Sequence, residues 1–273
     1  MVTCWTYSSR RLDLPGVCGA SATLPPVTRI VPAAAALGLA GLVAVTAVAG
    51  APLLAGALLV TTVAMAAGWP HLLALPTQRG STTILALCGS VAVLVVVLTN
   101  GEPRLRWLPS VVAMSVLAAF LHQLLRRDMR PRLVESITGV VCGVVVIQLG
   151  ASWLAVVAAD GGRQLVLAAT AALAGATVTT VLPASQRVTL PFAMVSGSVV
   201  AALVAGVLGG GPSSLDALPA AVLGLVLGAV VAGLTRLAGS LPTTSSRQAS
   251  VSLGAAVVSA GGAVTYLAAR LLS

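Results

Sequence analysis

Residues 31–69, VPAAAALGLAGLVAVTAVAGAPLLAGALLVTTVAMAAGW, decide the fold. These 39 residues contain no charged side chain. A hydrocarbon layer of about 30 Å is crossed by about 20 helical residues, so the stretch is too long for one crossing and the right length for two. Gly50-Ala51-Pro52 supplies the break, because proline is tolerated only in the first turn of a helix. The block therefore reads as a tight helical hairpin. Outer-membrane strands would alternate apolar and polar residues, whereas this run is apolar on every face.

The same reading extends outward. The chain has 273 residues, 58% hydrophobic and 8% charged, with mean hydropathy +1.06. A water-soluble domain carries about 25% charged residues, and this chain lacks the polar surface to solvate a globule. Apolar runs bounded by Pro, Gly or charge predict nine spans, at 31–50, 52–69, 81–99, 108–126, 136–158, 164–182, 190–209, 218–238 and 250–271. The expected fold is an all-α polytopic transmembrane bundle forming one domain over 31–273. Residues 1–30 are expected to be a disordered cytoplasmic tail. Ser9-Arg10-Arg11-Leu12 has the look of an export signal and Ala47-Val48-Ala49 of a cleavage site, but Asp13, Pro15, Pro25 and Pro26 intervene, with nearly twenty residues between arginines and apolar run.

All fifteen basic residues are arginine, and their placement orients the chain. With the N-terminus in the cytoplasm, Arg10, Arg11, Arg29, Arg79, Arg126, Arg127, Arg130, Arg132, Arg187, Arg236 and Arg247 fall inside. Arg104, Arg106, Arg163 and Arg270 fall outside. This bias matches the positive-inside rule and places the protein in the cytoplasmic (inner) membrane. The net charge of +9 is then a topology signal, and no nucleic-acid partner is expected because no basic face is exposed to solvent. Trp69, Trp107 and Trp153 lie near span ends and are expected to anchor at the interface.

Chemistry is sparse. Asp13, Glu102, Asp128, Glu135, Asp160 and Asp216 all lie between the apolar runs. Cys4, Cys18, Cys88 and Cys142 show no metal-ligand spacing, and no catalytic triad, phosphate-binding loop or His-Glu metal motif occurs, so no catalytic residue, metal or cofactor is assigned. Gly139 and Gly143, Gly224 and Gly228, and Ala171 and Gly175 have the four-residue spacing that lets membrane helices approach closely. All fifteen prolines lie in the tail, in loops or near span starts, which predicts unbroken helices.

Two places carry candidate function. In the arginine-rich stretch, His122 and Arg126 share a helix face, and with Arg127, Arg130 and Arg132 they are expected to hold anionic lipid headgroups, each arginine contributing about 1 kcal/mol. Membrane lipids are thus the expected partners, with a membrane-protein partner or a homo-oligomer as further candidates. Gln148, near the middle of the fifth span, is an intramembrane polar contact, with Ser152 and Thr170 or Thr177 as candidate neighbours. The absence of an intramembrane carboxylate favours a non-enzymatic, permease-like protein or complex partner handling a neutral or lipid-like molecule.

In length, span order and the run from Trp69 through FLHQLLRRDMRPRLVESITGVVCGVVVIQLGASWLA (120–155), the chain resembles the phosphatidate cytidylyltransferase family, over about residues 65–240. The resemblance implies an enzyme of phospholipid metabolism that makes CDP-diacylglycerol, or an inactive relative. That family's signature near the C-terminal end carries lysines, aspartates and a His-Gly-Gly element that bind metal and nucleotide. Here residues 237–254 read LAGSLPTTSSRQASVSLG, without Lys, Asp, Glu or His, and no catalytic residue carries over.

Two outcomes follow from the sequence. Reporter fusions after Arg132 and after Ser273 should report opposite sides of the membrane; the same side for both would exclude an odd number of spans. Purified protein given phosphatidic acid, labelled CTP and magnesium should form no CDP-diacylglycerol, because hydroxyls and one guanidinium at 243–248 cannot replace carboxylate ligands. Product that disappears in an Asp128→Asn, Glu135→Gln variant would make the arginine-rich loop an active site.

Overall fold

A computed structural model describes residues 26–75, 78–125, 133–182, 185–208, 216–239, 241 and 246–272. They form ten helices and no strand. These are α1 (Pro26–Ala49), α2 (Ala51–Leu72), α3 (Gln78–Leu98), α4 (Leu108–Leu125), α5 (Leu133–Leu149), α6 (Ser152–Ala158), α7 (Gly162–Val181), α8 (Gln186–Leu208), α9 (Ala217–Gly239) and α10 (Arg247–Leu272). Among the described residues, nine segments are long and apolar enough to cross a membrane, with α5 and α6 together making the fifth. The protein is a multi-pass, all-α membrane protein. Residues 1–25, most of the expected tail, lie outside the described residues, and α1 begins at Pro26, five residues ahead of the expected start.

The hairpin forms where expected. Gly50 alone separates α1 from α2 and has φ 135°, a conformation that favours glycine, while Pro52 sits in the first turn of α2.

Two apolar clusters fill the interior. One is built chiefly from α1, α6, α7, α8, α9 and α10, and the other from α2, α3, α4, α5 and α10. Helix α10 lies between them and touches α1, α2, α5, α6, α7 and α9. Its buried surface is made of small residues, including Ser252, Gly254, Ala255, Ala256, Gly261 and Gly262. A Cβ on Gly254 would fall 2.6 Å from the Ala36 backbone nitrogen and 2.9 Å from the Pro32 carbonyl oxygen. On the opposite flank, Ser252 Oγ donates to the Met65 carbonyl at 3.0 Å, and Gly68 meets the Gln248 carbonyl directly.

The expected glycine pairs all pack within the chain, in two different ways. Gly224 of α9 lies backbone to backbone against Gly197 of α8, and Gly228 meets Ala193 and Met194. Gly139 and Gly143 of α5 instead seat side chains: Cβ atoms there would meet Leu73 and Leu75, and Trp69 and Leu85. Gly175 of α7 receives Val200.

The tryptophan expectation needs correcting for two of the three. Trp153 is fully buried, its Nε1 donating to the Val258 carbonyl at 3.0 Å, and Trp69 is buried with Nε1 on the Gly139 carbonyl at 2.9 Å. Each indole N–H is paired with a backbone oxygen, which removes the need for an aqueous edge. Trp107 remains exposed, with the Arg106 guanidinium 6.0 Å from its ring.

Substituting Gly254 by Val should lower stability by about 1–3 kcal/mol, because the clash is with backbone that cannot rotate away. Gly233→Ala, in open space, should be neutral or mildly stabilising. Thermal unfolding of the two variants in one detergent checks the difference, and equal midpoints would remove α10 as a packing centre.

Candidate functional site

The fifth span is broken, which corrects the expectation of uninterrupted helices. The cause is glycine rather than proline. After Leu149 the amides of Gly150 and Ala151 bond back three residues, to Ile147 O at 3.3 Å and Gln148 O at 3.1 Å, and Trp153 and Leu154 repeat the pattern to Gly150 O and Ala151 O. The chain therefore turns tightly between α5 and α6, as in a 3₁₀ turn. Helix α10 fixes the break from the other side. A Cβ on Gly150 would lie 3.2 Å from Ser259 Oγ, and one on Gly262 would lie 3.0 Å from the Leu149 carbonyl oxygen and 2.9 Å from Trp153.

Gln148 sits on the last turn of α5, two residues before Gly150. Fourteen residues separate it from Val134 and ten from Ala158, placing it about 21 Å and about 15 Å from the two ends of the span, close to mid-membrane. It is 1% exposed. Its Nε2 donates to Ser115 Oγ of α4 at 2.7 Å, while Oε1 has no partner. Interchanging the amide oxygen and nitrogen would keep the bond to Ser115, since a hydroxyl both donates and accepts, and would still leave one polar atom unpaired. An unpaired buried polar atom costs about 1–3 kcal/mol.

The expected neighbours of Gln148 are not its partners. Thr170 and Thr177 bond to carbonyls of their own helix, at Val166 (2.8 Å) and Leu173 (2.6 Å), as short hydroxyl side chains do in apolar helices. Ser152 is buried one turn farther along, in α6. Ser115 was not singled out by the sequence. The signal available for it was the spacing Ser115, Ala119, Gln123, the buried stripe of an otherwise exposed helix.

Beside Ser115 runs a groove between α3 and α4, with a volume of about 550 Å³ and walls of Leu87, Val91, Val95, Val111 and Met114. Trp107 stands at one end, and Ser110, Ser115 and Cys88 are its polar or polarizable points. A second groove of about 510 Å³ between α1, α7 and α8 is apolar except for Thr170, whose hydroxyl is already bonded within α7. Of these two grooves, only the first is lined by a residue, Ser115, that is bonded to a side chain with an unpaired polar atom.

His122 is half-buried in the last turn of α4. A Cβ on Gly80 of α3 would lie 2.6 Å from its Nε2, which is buried and has no partner. Arg126, Arg127, Arg130 and Arg132 lie outside the described residues, as does Asp128. Cys88 is buried and Cys142 exposed, both free, and the described residues contain no group of three His, Cys, Asp or Glu able to hold a metal. Glu102, Glu135, Asp160 and Asp216 are exposed at helix ends or in loops, so no described carboxylate borders Gln148.

No protein-family model matches the chain, no curated protein matches its sequence, and no solved structure matches its fold.

Proposed function

We propose that this membrane protein is a non-enzymatic, permease-like protein of the cytoplasmic (inner) membrane that takes up a neutral, lipid-like molecule from the bilayer through the α3–α4 groove. The observation that carries the reading is the Gln148 amide at mid-membrane, bonded at one end to Ser115 and unpaired at the other. A hydroxyl-bearing lipid laid along the groove would bury its chain against Val91, Val95 and Val111 and bring a hydrogen-bonding group to Ser115, which holds the amide. The volume of about 550 Å³ suits a ligand of that size class. A charged ligand is disfavoured at that depth because no described opposite charge borders the amide, and an isolated ion in hydrocarbon costs several kcal/mol.

Access follows from the weak hold on α4. Only 17% of its most apolar window is buried, and it packs chiefly on α5 and α3, so the wall it contributes to the groove is largely lipid-facing.

The test uses full-length protein in phosphatidylcholine nanodiscs with a fluorescent diacylglycerol as probe, a neutral lipid carrying one hydroxyl. Saturable binding is expected. Gln148→Leu should weaken it about tenfold, the value of one buried hydrogen bond, and Thr170→Val in the other groove should leave it unchanged. Equal affinity in wild type and Gln148→Leu would overturn the reading.

A further inference from the structure

A second group of unpaired polar atoms lies at the other end of the same three helices. Ser81 and Ser136 are both completely buried, and neither hydroxyl has a hydrogen-bond partner. Each is the fourth residue of its helix, Ser81 in α3 and Ser136 in α5. The third member is His122 Nε2, also buried and unpaired, in the last turn of α4.

Helix register brings the three to within about one and a half turns of one another. A Cβ on Gly80 would touch the His122 imidazole, which puts the first turn of α3 beside the last turn of α4. A Cβ on Gly143 would lie 2.8 Å from Leu85 Cδ2, so these residues are level on the parallel helices α5 and α3. Four residues back along each are Gly139 and Ser81, and Ser136 lies three residues before Gly139, about 4.5 Å farther toward the N-terminal end of α5. On antiparallel α4, the Ser115–Gln148 bond sets a register that places Gln123 opposite Val140, one turn from Ser136.

Helix dipoles add positive potential at this end. The N-termini of α3 and α5 both open here, each with the positive end of its helix dipole and its unpaired first-turn amides. Arg79 is exposed in the first turn of α3. Glu135, the one described carboxylate at this end, is exposed while its neighbour Ser136 is buried. The connection from α4 to α5, residues 126–132, carries four arginines and one aspartate in sequence. Hydroxyl and imidazole donors between two helix N-termini suit an acceptor-rich anion, and phosphate is the common biological one.

We propose that Ser81, His122 and Ser136 form a phosphate-binding site where the N-terminal ends of α3 and α5 meet the C-terminal end of α4. It takes a phosphate group, carried by a lipid headgroup or as the free ion, and it is separate from the mid-membrane amide.

The experiment uses full-length protein in phosphatidylcholine nanodiscs, titrated in separate arms with short-chain phosphatidic acid and with inorganic phosphate. Binding is read by native mass spectrometry and by thermal midpoint. Saturable binding in either arm is expected, and a Ser81→Ala, Ser136→Ala variant should weaken it about tenfold or more. Without ligand that variant should match or exceed the wild-type midpoint, because the hydroxyls it removes are buried and bond nothing in the protein; a fall would indicate a structural role and count against the site. Gln148→Leu should bind phosphate normally, which keeps the outcome distinct from that of the diacylglycerol test. Binding of phosphatidic acid alone assigns a lipid headgroup, and binding of inorganic phosphate as well assigns the free ion. No binding in either arm, or binding unaffected by the double substitution, would overturn the proposal.

Discussion

The structure depends on how closely other backbones approach α10. Within a membrane, helices gain little from excluding lipid, which is as apolar as leucine, so association relies on packing at short range. Helix α10 supplies that range on several flanks. Gly254 admits the α1 backbone, Gly261 admits Leu173 of α7, Gly262 admits the Trp153 indole, and Ser252 bonds to α2. Each contact joins α10 to an element of one or the other apolar cluster, and both clusters include α10 residues. A larger side chain at Gly254 would separate backbones, and one at Gly261 or Gly262 would displace the Leu173 side chain or the Trp153 indole.

That arrangement explains the break in the fifth span. An uninterrupted helix through Gly150 would keep every backbone group bonded four residues away and give α10 no carbonyl-lined notch. The tight turn places Gly150 beside Ser259 and leads directly into Trp153, whose N–H caps the Val258 carbonyl. The cost of irregular backbone at this depth is tolerated because the segment is enclosed by protein rather than lipid. Gln148 lies on the last turn before the break, held toward α4 by its bond to Ser115.

The number of spans and the α1–α2 hairpin were legible in the sequence, because length and the Gly50-Ala51-Pro52 break are one-dimensional signals. Which face of each helix looks inward was not. Lipid and protein interior are both apolar, so the periodicity that reveals the buried side of a soluble helix is nearly absent. Trp69 and Trp153 illustrate the loss: a tryptophan near a span end reads as an anchor, yet both find backbone acceptors inside the bundle. Ser81, Ser115 and Ser136 were equally silent, since a serine in an apolar run usually bonds to its own helix, as the threonines here do. For the arginine-rich stretch the sequence gives charge and no geometry, and only His122 is described.

The distribution of unpaired polar atoms now separates the two parts of the bundle. Among the described residues, Ser81 Oγ, His122 Nε2, Ser136 Oγ and Gln148 Oε1 are such atoms, and all four belong to α3, α4 or α5. The tightly packed α7–α8–α9 region, with Gly197, Gly224 and Gly228 in backbone contact, contributes none among the described residues. Structural economy would predict the reverse, since unpaired polar atoms destabilise wherever they are buried. Their confinement to three helices, including the span with the least buried window, is the feature on which both proposed sites rest.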